Sequence, residues 1–121
     1  VRVMLENVYE KDPELLKTVI QRIGLDNVHL CLDVGHLNAF ADRDFEGWLQ
    51  ILWPMIGHLH LHDNQGTLDD HQALGTGTIP LAYILDFLAQ KGHQPLITLE
   101  PHYEGSLLPS LQHLADIWPW E

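Results

Sequence analysis

The chain has 121 residues, enough for one domain with a real hydrophobic core, and 45% of them are hydrophobic, which argues against intrinsic disorder. Six lysines and arginines face 17 aspartates and glutamates, a formal net charge of -11 that disfavours a dedicated nucleic-acid module, whose affinity rests on cations against phosphates. The single cysteine, Cys31, excludes an internal disulfide framework and any Cys-based zinc site, and no apolar run reaches the roughly 18 residues of a membrane span.

Val1, Val3 and Leu5 alternate and predict a first strand over 1–7. Asp12-Pro13-Glu14 then reads as an N-cap with proline at the first helical position. Leu15, Leu16, Val19, Ile20 and Ile23 recur at helical spacing, and Gly24 stops that helix. A second strand is expected at Val28–Asp33, with a helix from about Asp44 that carries Phe45, Trp48, Leu49 and Leu52 and ends at Pro54. The third strand is predicted over 56–62. A long polar, glycine-containing loop follows it, then a helix with Leu81, Ile84, Leu85 and Leu88 that ends near Gly92. The fourth strand spans 95–100, and Leu107, Leu111, Leu114 and Trp118 mark the closing helix. No linker or charge block interrupts the series, so residues 1–121 read as a single domain. No signal-peptide pattern opens the chain, and a reducing cytoplasm is the expected compartment.

Strands alternating with amphipathic helices imply an α/β fold, a parallel sheet with helices packed on it. Glu6, Asp33 and His60 follow one another at 27-residue intervals, and Glu100 comes 40 residues later, the excess falling in the loop before Thr78. Each of the four closes an apolar strand at its C-terminal end, where barrel enzymes build their sites. Exposed strand ends also tolerate charge. Converging carboxylates, however, are costly to bury, and a divalent cation removes that cost. A carboxylate and imidazole set suits Mn²⁺, Co²⁺, Zn²⁺ or Fe²⁺ better than Ca²⁺, with Mg²⁺ also compatible. Four units make half of a (β/α)₈ barrel, which typically needs about 250 residues. The chain is therefore expected either to lack an N-terminal half-barrel or to pair as a homodimer, a small open sheet being the third option. Unpaired outer strands lined with Val, Ile and Leu point the same way.

Six motifs occur in order: Leu5-Glu6-Asn7, Asp33-Val-Gly-His36, His60-Leu-His62-Asp63-Asn64, Asp69-Asp-His71, Leu74-Gly75-Thr-Gly77-Thr-Ile79 and Leu99-Glu100. Together they resemble the C-terminal half of the xylose isomerase-like TIM barrels, from the fifth strand to the eighth helix. That superfamily contains sugar and sugar-phosphate isomerases and epimerases, inosose dehydratases, hydroxypyruvate isomerases and abasic-site nucleases of the endonuclease IV type. The isomerase and epimerase branch implies one metal held by Glu6, Asp33, His60 and Glu100. Its reaction is a proton transfer through an enediolate on a small sugar-like or polyol-derived hydroxy-carbonyl substrate. Glu6 and Glu100 would remove and return the proton, and His36 would touch a substrate oxygen or support a ligand.

The nuclease branch implies a different use of the same positions, with Glu6, Asp33, His36, His60, Asp69, His71 and Glu100 gathering three zinc ions against a phosphodiester. The charge of -11 weighs against DNA. A third reading is a non-catalytic half-barrel. One departure stands out: epimerases of this type commonly place an arginine soon after the metal histidine, whereas His60 is followed by His62, Asp63, Asn64 and Gln65. A phosphorylated substrate is thereby disfavoured, and His62 is open to substrate contact or to an inward structural role.

The Gly75 to Ile79 loop could present backbone amides to an anion, or its glycines could serve turn geometry alone. His29, His58, His93 and His113 lack partner spacing and are expected at the surface or at strand starts, while His102 could rim the mouth. Cys31 reads as a buried small hydrophobe. Trp48, Trp53 and Trp118 read as core, and Trp120 as covering a seam or lying exposed.

Overall fold

A computed structural model describes residues 1–121. Strands β1 (Val3–Glu6), β2 (Val28–Asp33), β3 (Ile56–Leu61) and β4 (Leu96–Leu99) form one parallel sheet in sequence order. The helices are α1 (Pro13–Ile23), α2 (Val34–Phe40), α3 (Phe45–Leu52), α4 (Leu81–Gln90) and α5 (Leu107–Asp116). The result is four βα units, half of a (β/α)₈ barrel. No helix is long and apolar enough to cross a membrane.

Local chemistry sets the boundaries. Asp12 accepts the Glu14 amide, Pro13 opens α1, and Gly24 closes it at φ 64, a left-handed conformation that glycine adopts without steric cost. Asp44 caps α3 by accepting the Gly47 amide at 3.0 Å. The expected first, third and fourth strands are each shortened at their ends. Helix α2 was not anticipated: seven residues, VGHLNAF, follow β2 without a break because Asp33 accepts the His36 amide at 2.8 Å.

Alternate strand residues separate the two faces of the sheet. Leu30, Leu32, Leu59 and Leu61 turn toward the helices and pack with Trp48, Leu49, Leu52, Ile84, Leu85 and Leu88, all buried. The outer units are less covered. Val3 and Leu96 on the two edge strands are exposed, as are Leu15, Val19 and Ile23 on α1 and Leu107, Leu108 and Leu111 on α5. Trp118, expected in the core, is also exposed and packs edge-on against Trp120.

The loop between β3 and α4 is organised from within. The Asp63 and Gln72 backbones exchange hydrogen bonds of 3.0 and 2.8 Å. The buried Asp63 carboxylate accepts the Gly75 amide at 3.0 Å and the Ile79 amide at 3.3 Å. With the Thr76 and Thr78 amides on the Ala73 and Asn64 carbonyls, four amides of this loop are taken within the chain, which favours turn geometry and close packing as the role of its glycines. A Cβ on Gly77 would overlap the Asp63 carboxylate and the Asn64 carbonyl. Gly77→Ala is expected to destabilise the chain by about 1–3 kcal/mol, read as a lower urea midpoint.

Candidate metal centre

The four strand-end residues meet. Glu6, Asp33, His60 and Glu100 each offer a donor atom, and these lie within 4.8 Å of one another. His60 Nδ1 is 3.0 Å from Glu6 Oε1, 3.2 Å from Glu100 Oε1 and 3.8 Å from Asp33 Oδ2. Parallel register produces this convergence: Asp33 lies beside His60, Leu61 beside Leu99, and the Glu100 amide continues the ladder to the Leu61 carbonyl.

Asp33 is the fixed member. Its side chain is 0% exposed, and Oδ1 accepts both the His36 amide and His62 Nε2–H, each at 2.8 Å. Oδ2 is buried with no hydrogen-bond partner. A bare carboxylate oxygen in that position carries a desolvation cost of about 1–3 kcal/mol or more. With three carboxylates around one imidazole, the residues present fit a divalent cation in charge, in donor type and in this uncompensated oxygen. Asn7 escaped the sequence reading as a site residue. Its side-chain amide exchanges hydrogen bonds with the Asp33 backbone at 2.8 and 3.1 Å, extending the β1–β2 pairing past Glu6. The Glu-Asn dipeptide after a strand was the available signal.

A second group adjoins the first: His36, His62, Asp69 and His71, again with donors within 4.8 Å. His36 Nδ1–H donates to the Asn7 carbonyl and His71 Nδ1–H to the Glu100 carbonyl, both at 2.7 Å. Their Nε2 atoms face Asp69 at 3.2 and 3.3 Å, and His62 Nδ1 lies 3.7 Å from it. Lone pairs directed at a carboxylate repel it unless a proton or a cation stands between them. Asp69 Oδ1 and His62 Nδ1 are both buried without partners.

His62 is wholly buried, and its ring occupies the space a Cβ on Gly35 would need. It stacks on His71 at 3.7 Å, and His71 stacks on His102 at 3.6 Å. His71 holds this place at φ 50, an unusual conformation outside glycine. Of the arginines, Arg43 is committed to the Asn38 and Gly66 carbonyls. His58 stands near the start of β3, as expected, and a donor atom of its ring lies within 4.8 Å of those of Cys31 and His60, a third donor group. His93 bonds the Ile56 carbonyl and His113 packs against Gly75, both partly buried.

Burial alone would raise the Asp33 carboxyl, but the hydrogen bond and charge of His62, with the His36 amide, hold it below its ordinary 3.8. Burial would lower His62, yet the bond to Asp33 and the charges of Asp33, Asp69 and Glu100 raise it above 6.5. A raised histidine stabilises the fold below its unfolded value and loses that contribution as pH rises through its folded value. A lowered carboxyl contributes above its unfolded value and loses that as pH falls through its folded value. The metal-free chain is therefore expected to gain most from this pair between about pH 4 and 6.5. Thermal melts should show the gain fading on either side, and His62→Gln should flatten the profile.

Comparison with known proteins places the chain. Residues 1–119 match the family described as "Xylose isomerase-like TIM barrel", and the chain belongs to that family. It is 33% identical over 89 residues to an uncharacterized protein of Methanocaldococcus jannaschii, MJ1311, covering 73% of this chain and 30% of that one. The crystal structure of a D-tagatose 3-epimerase-like protein superposes with a TM-score of 0.80 at 26% identity, covering 97% of this chain and 46% of its own. The TTHB071 protein from Thermus thermophilus, in a crystal soaked with ZnCl₂, gives 0.77 at 29% identity, covering 97% and 44%. The chain thus spans less than half the length of each of these proteins.

Proposed function

We propose that these four units form part of a metal-dependent isomerase or epimerase acting on a small sugar or polyol-derived hydroxy-carbonyl compound. The observation that carries this is the Glu6, Asp33, His60 and Glu100 donor set around the bare Asp33 Oδ2. The likeness to a D-tagatose 3-epimerase-like protein supports the substrate class. These four residues would hold Mn²⁺, Co²⁺ or Zn²⁺, and a crystal of one similar protein was soaked with zinc. Such a cation supplies Lewis-acid polarisation of the substrate's carbonyl and hydroxyl oxygens and offsets charge developing toward an enediolate.

The chain's own groups divide the remaining work. Asp33, locked by two hydrogen bonds and fully buried, orients the site and takes no proton from the substrate. Glu6 and Glu100 keep side-chain exposures of 35% and 30%, so they can reach a substrate carbon, one removing the proton and the other returning it. His36, held through Nδ1 on the Asn7 carbonyl, turns Nε2 toward Asp69 at 3.2 Å and would support the site there or touch a substrate oxygen beside it. Four further βα units close the barrel, from a second copy or from an N-terminal half. The exposed apolar residues on both outer units and the coverage below one half support that completion. The chain alone is expected to associate in sedimentation runs, and replacing Leu107 and Leu111 with Asp should shift it toward monomer.

The three imidazoles converging on Asp69 favour a second reading, in which more than one cation binds and the substrate is a phosphodiester. Elemental analysis after equilibration with Mn²⁺, Co²⁺ or Zn²⁺ and dialysis separates the two. About one metal per chain, lost in Glu100→Gln, supports the isomerase. Two or three zinc ions per chain support the phosphodiesterase. In the closed enzyme, Glu100→Gln should slow solvent-deuterium uptake into a ketose or aldose by about 10²-fold or more.

A further inference from the structure

We propose that Cys31, His58 and His60 form a seat for a thiophilic metal ion, one layer beneath the strand-end site and in competition with it for His60. Cys31 and His58 are paired neighbours in the β2–β3 register, each two residues before Asp33 and His60. A period of two keeps all four on the face of the sheet away from the helices. A donor atom from each of Cys31, His58 and His60 lies within 4.8 Å of the others, and Cys31 is 2% exposed. One sulfur and two imidazole nitrogens suit Cd²⁺, Cu⁺ or Zn²⁺, whereas the oxygen-rich set above suits harder cations.

The surroundings favour a cation rather than a free thiolate. Glu6 is the β1 neighbour of Cys31 and Asp33 stands two residues beyond it on the same face, so carboxylates surround the thiol with a negative field. The same negative field attracts a metal ion, which forms its bond to sulfur as the thiol proton leaves to solvent. His58 is already oriented: its Nε2 hydrogen-bonds Thr98 Oγ1 at 2.7 Å, which fixes the ring on this face of the sheet. A neutral imidazole has one free lone pair, so His60 serves one metal at a time. A soft metal in the lower seat therefore takes a ligand from the upper one. The inference holds whichever reaction the upper site performs.

The test equilibrates the full chain with Cd²⁺ and follows the ultraviolet sulfur-to-cadmium charge-transfer absorption, with circular dichroism checking the fold of each variant. The expected result is one cadmium–sulfur bond per chain, present in the unsubstituted protein and in Glu100→Gln. It should be absent in Cys31→Ala and in Cys31→Ser, and weakened about tenfold or more in His58→Gln. Mn²⁺ bound to the unsubstituted chain, followed by electron paramagnetic resonance, should be released in step with that absorption. No absorption, or one of unchanged affinity in His58→Gln, would overturn the seat. Retention of Mn²⁺ while the absorption saturates would overturn the competition for His60. The sulfur signal reports without reference to activity, so its failure is distinct from failure of the isomerase reading.

Discussion

The site depends on a carboxylate that is only half satisfied. Asp33 ends β2, starts α2 through the His36 amide, and binds His62 with the same oxygen, leaving its second oxygen buried and bare. One side chain thus joins a strand end, a helix start and a buried imidazole. The Asn7 side chain, reaching across from β1, fixes the Asp33 backbone on both its N–H and its C=O. A position held from so many directions cannot rotate to find water. Its unpartnered oxygen is built into the fold, and the neighbouring Glu6, Glu100 and His60 are placed by the register of the sheet that delivers Asp33.

The sheet has two faces of different chemistry, and the fold keeps them apart. Leucines fill the helix side, whereas the opposite side carries Glu6, Cys31, Asp33, His58 and His60. In a whole barrel that second face is the interior, enclosed by eight strands. With four strands it has two open edges, and the apolar residues left uncovered on α1 and α5 belong to the units at those edges. The polar site and the apolar edges express the same geometry, that of a curved barrel wall with its inner face and both edge strands open.

Periodicity made the architecture legible. The apolar spacing of Phe45, Trp48, Leu49 and Leu52, the caps at Asp12 and Asp44, and Gly24 with its positive φ all lie where local chemistry put them. The 27-residue spacing of Glu6, Asp33 and His60 anticipated convergence because each βα unit returns the chain to the same end of the sheet. Other features were hidden in the sequence. Helix α2 is two turns long, too short for the apolar pair Val34 and Leu37 to announce it, and depends on a cap supplied by a site residue. The placing of His58 beside Cys31 required the register across the Leu30/Cys31 irregularity, which no single-strand pattern contains. The stacking of His62, His71 and His102 depends on the room at Gly35 and on the left-handed backbone at His71, both tertiary in origin.

The Asp63 carboxylate also bears on which ligands the mouth can hold. It sits in a cradle of amides that has the form of an anion receptor, but the anion is covalently attached to the chain. A tethered ligand acts at an effective concentration that a dissolved competitor rarely reaches. Phosphate arriving from solvent would have to expel this internal carboxylate and meet the repulsion of its charge. The loop is thus a receptor already occupied by its own residue, its amides spent on holding the chain rather than on a dissolved anion.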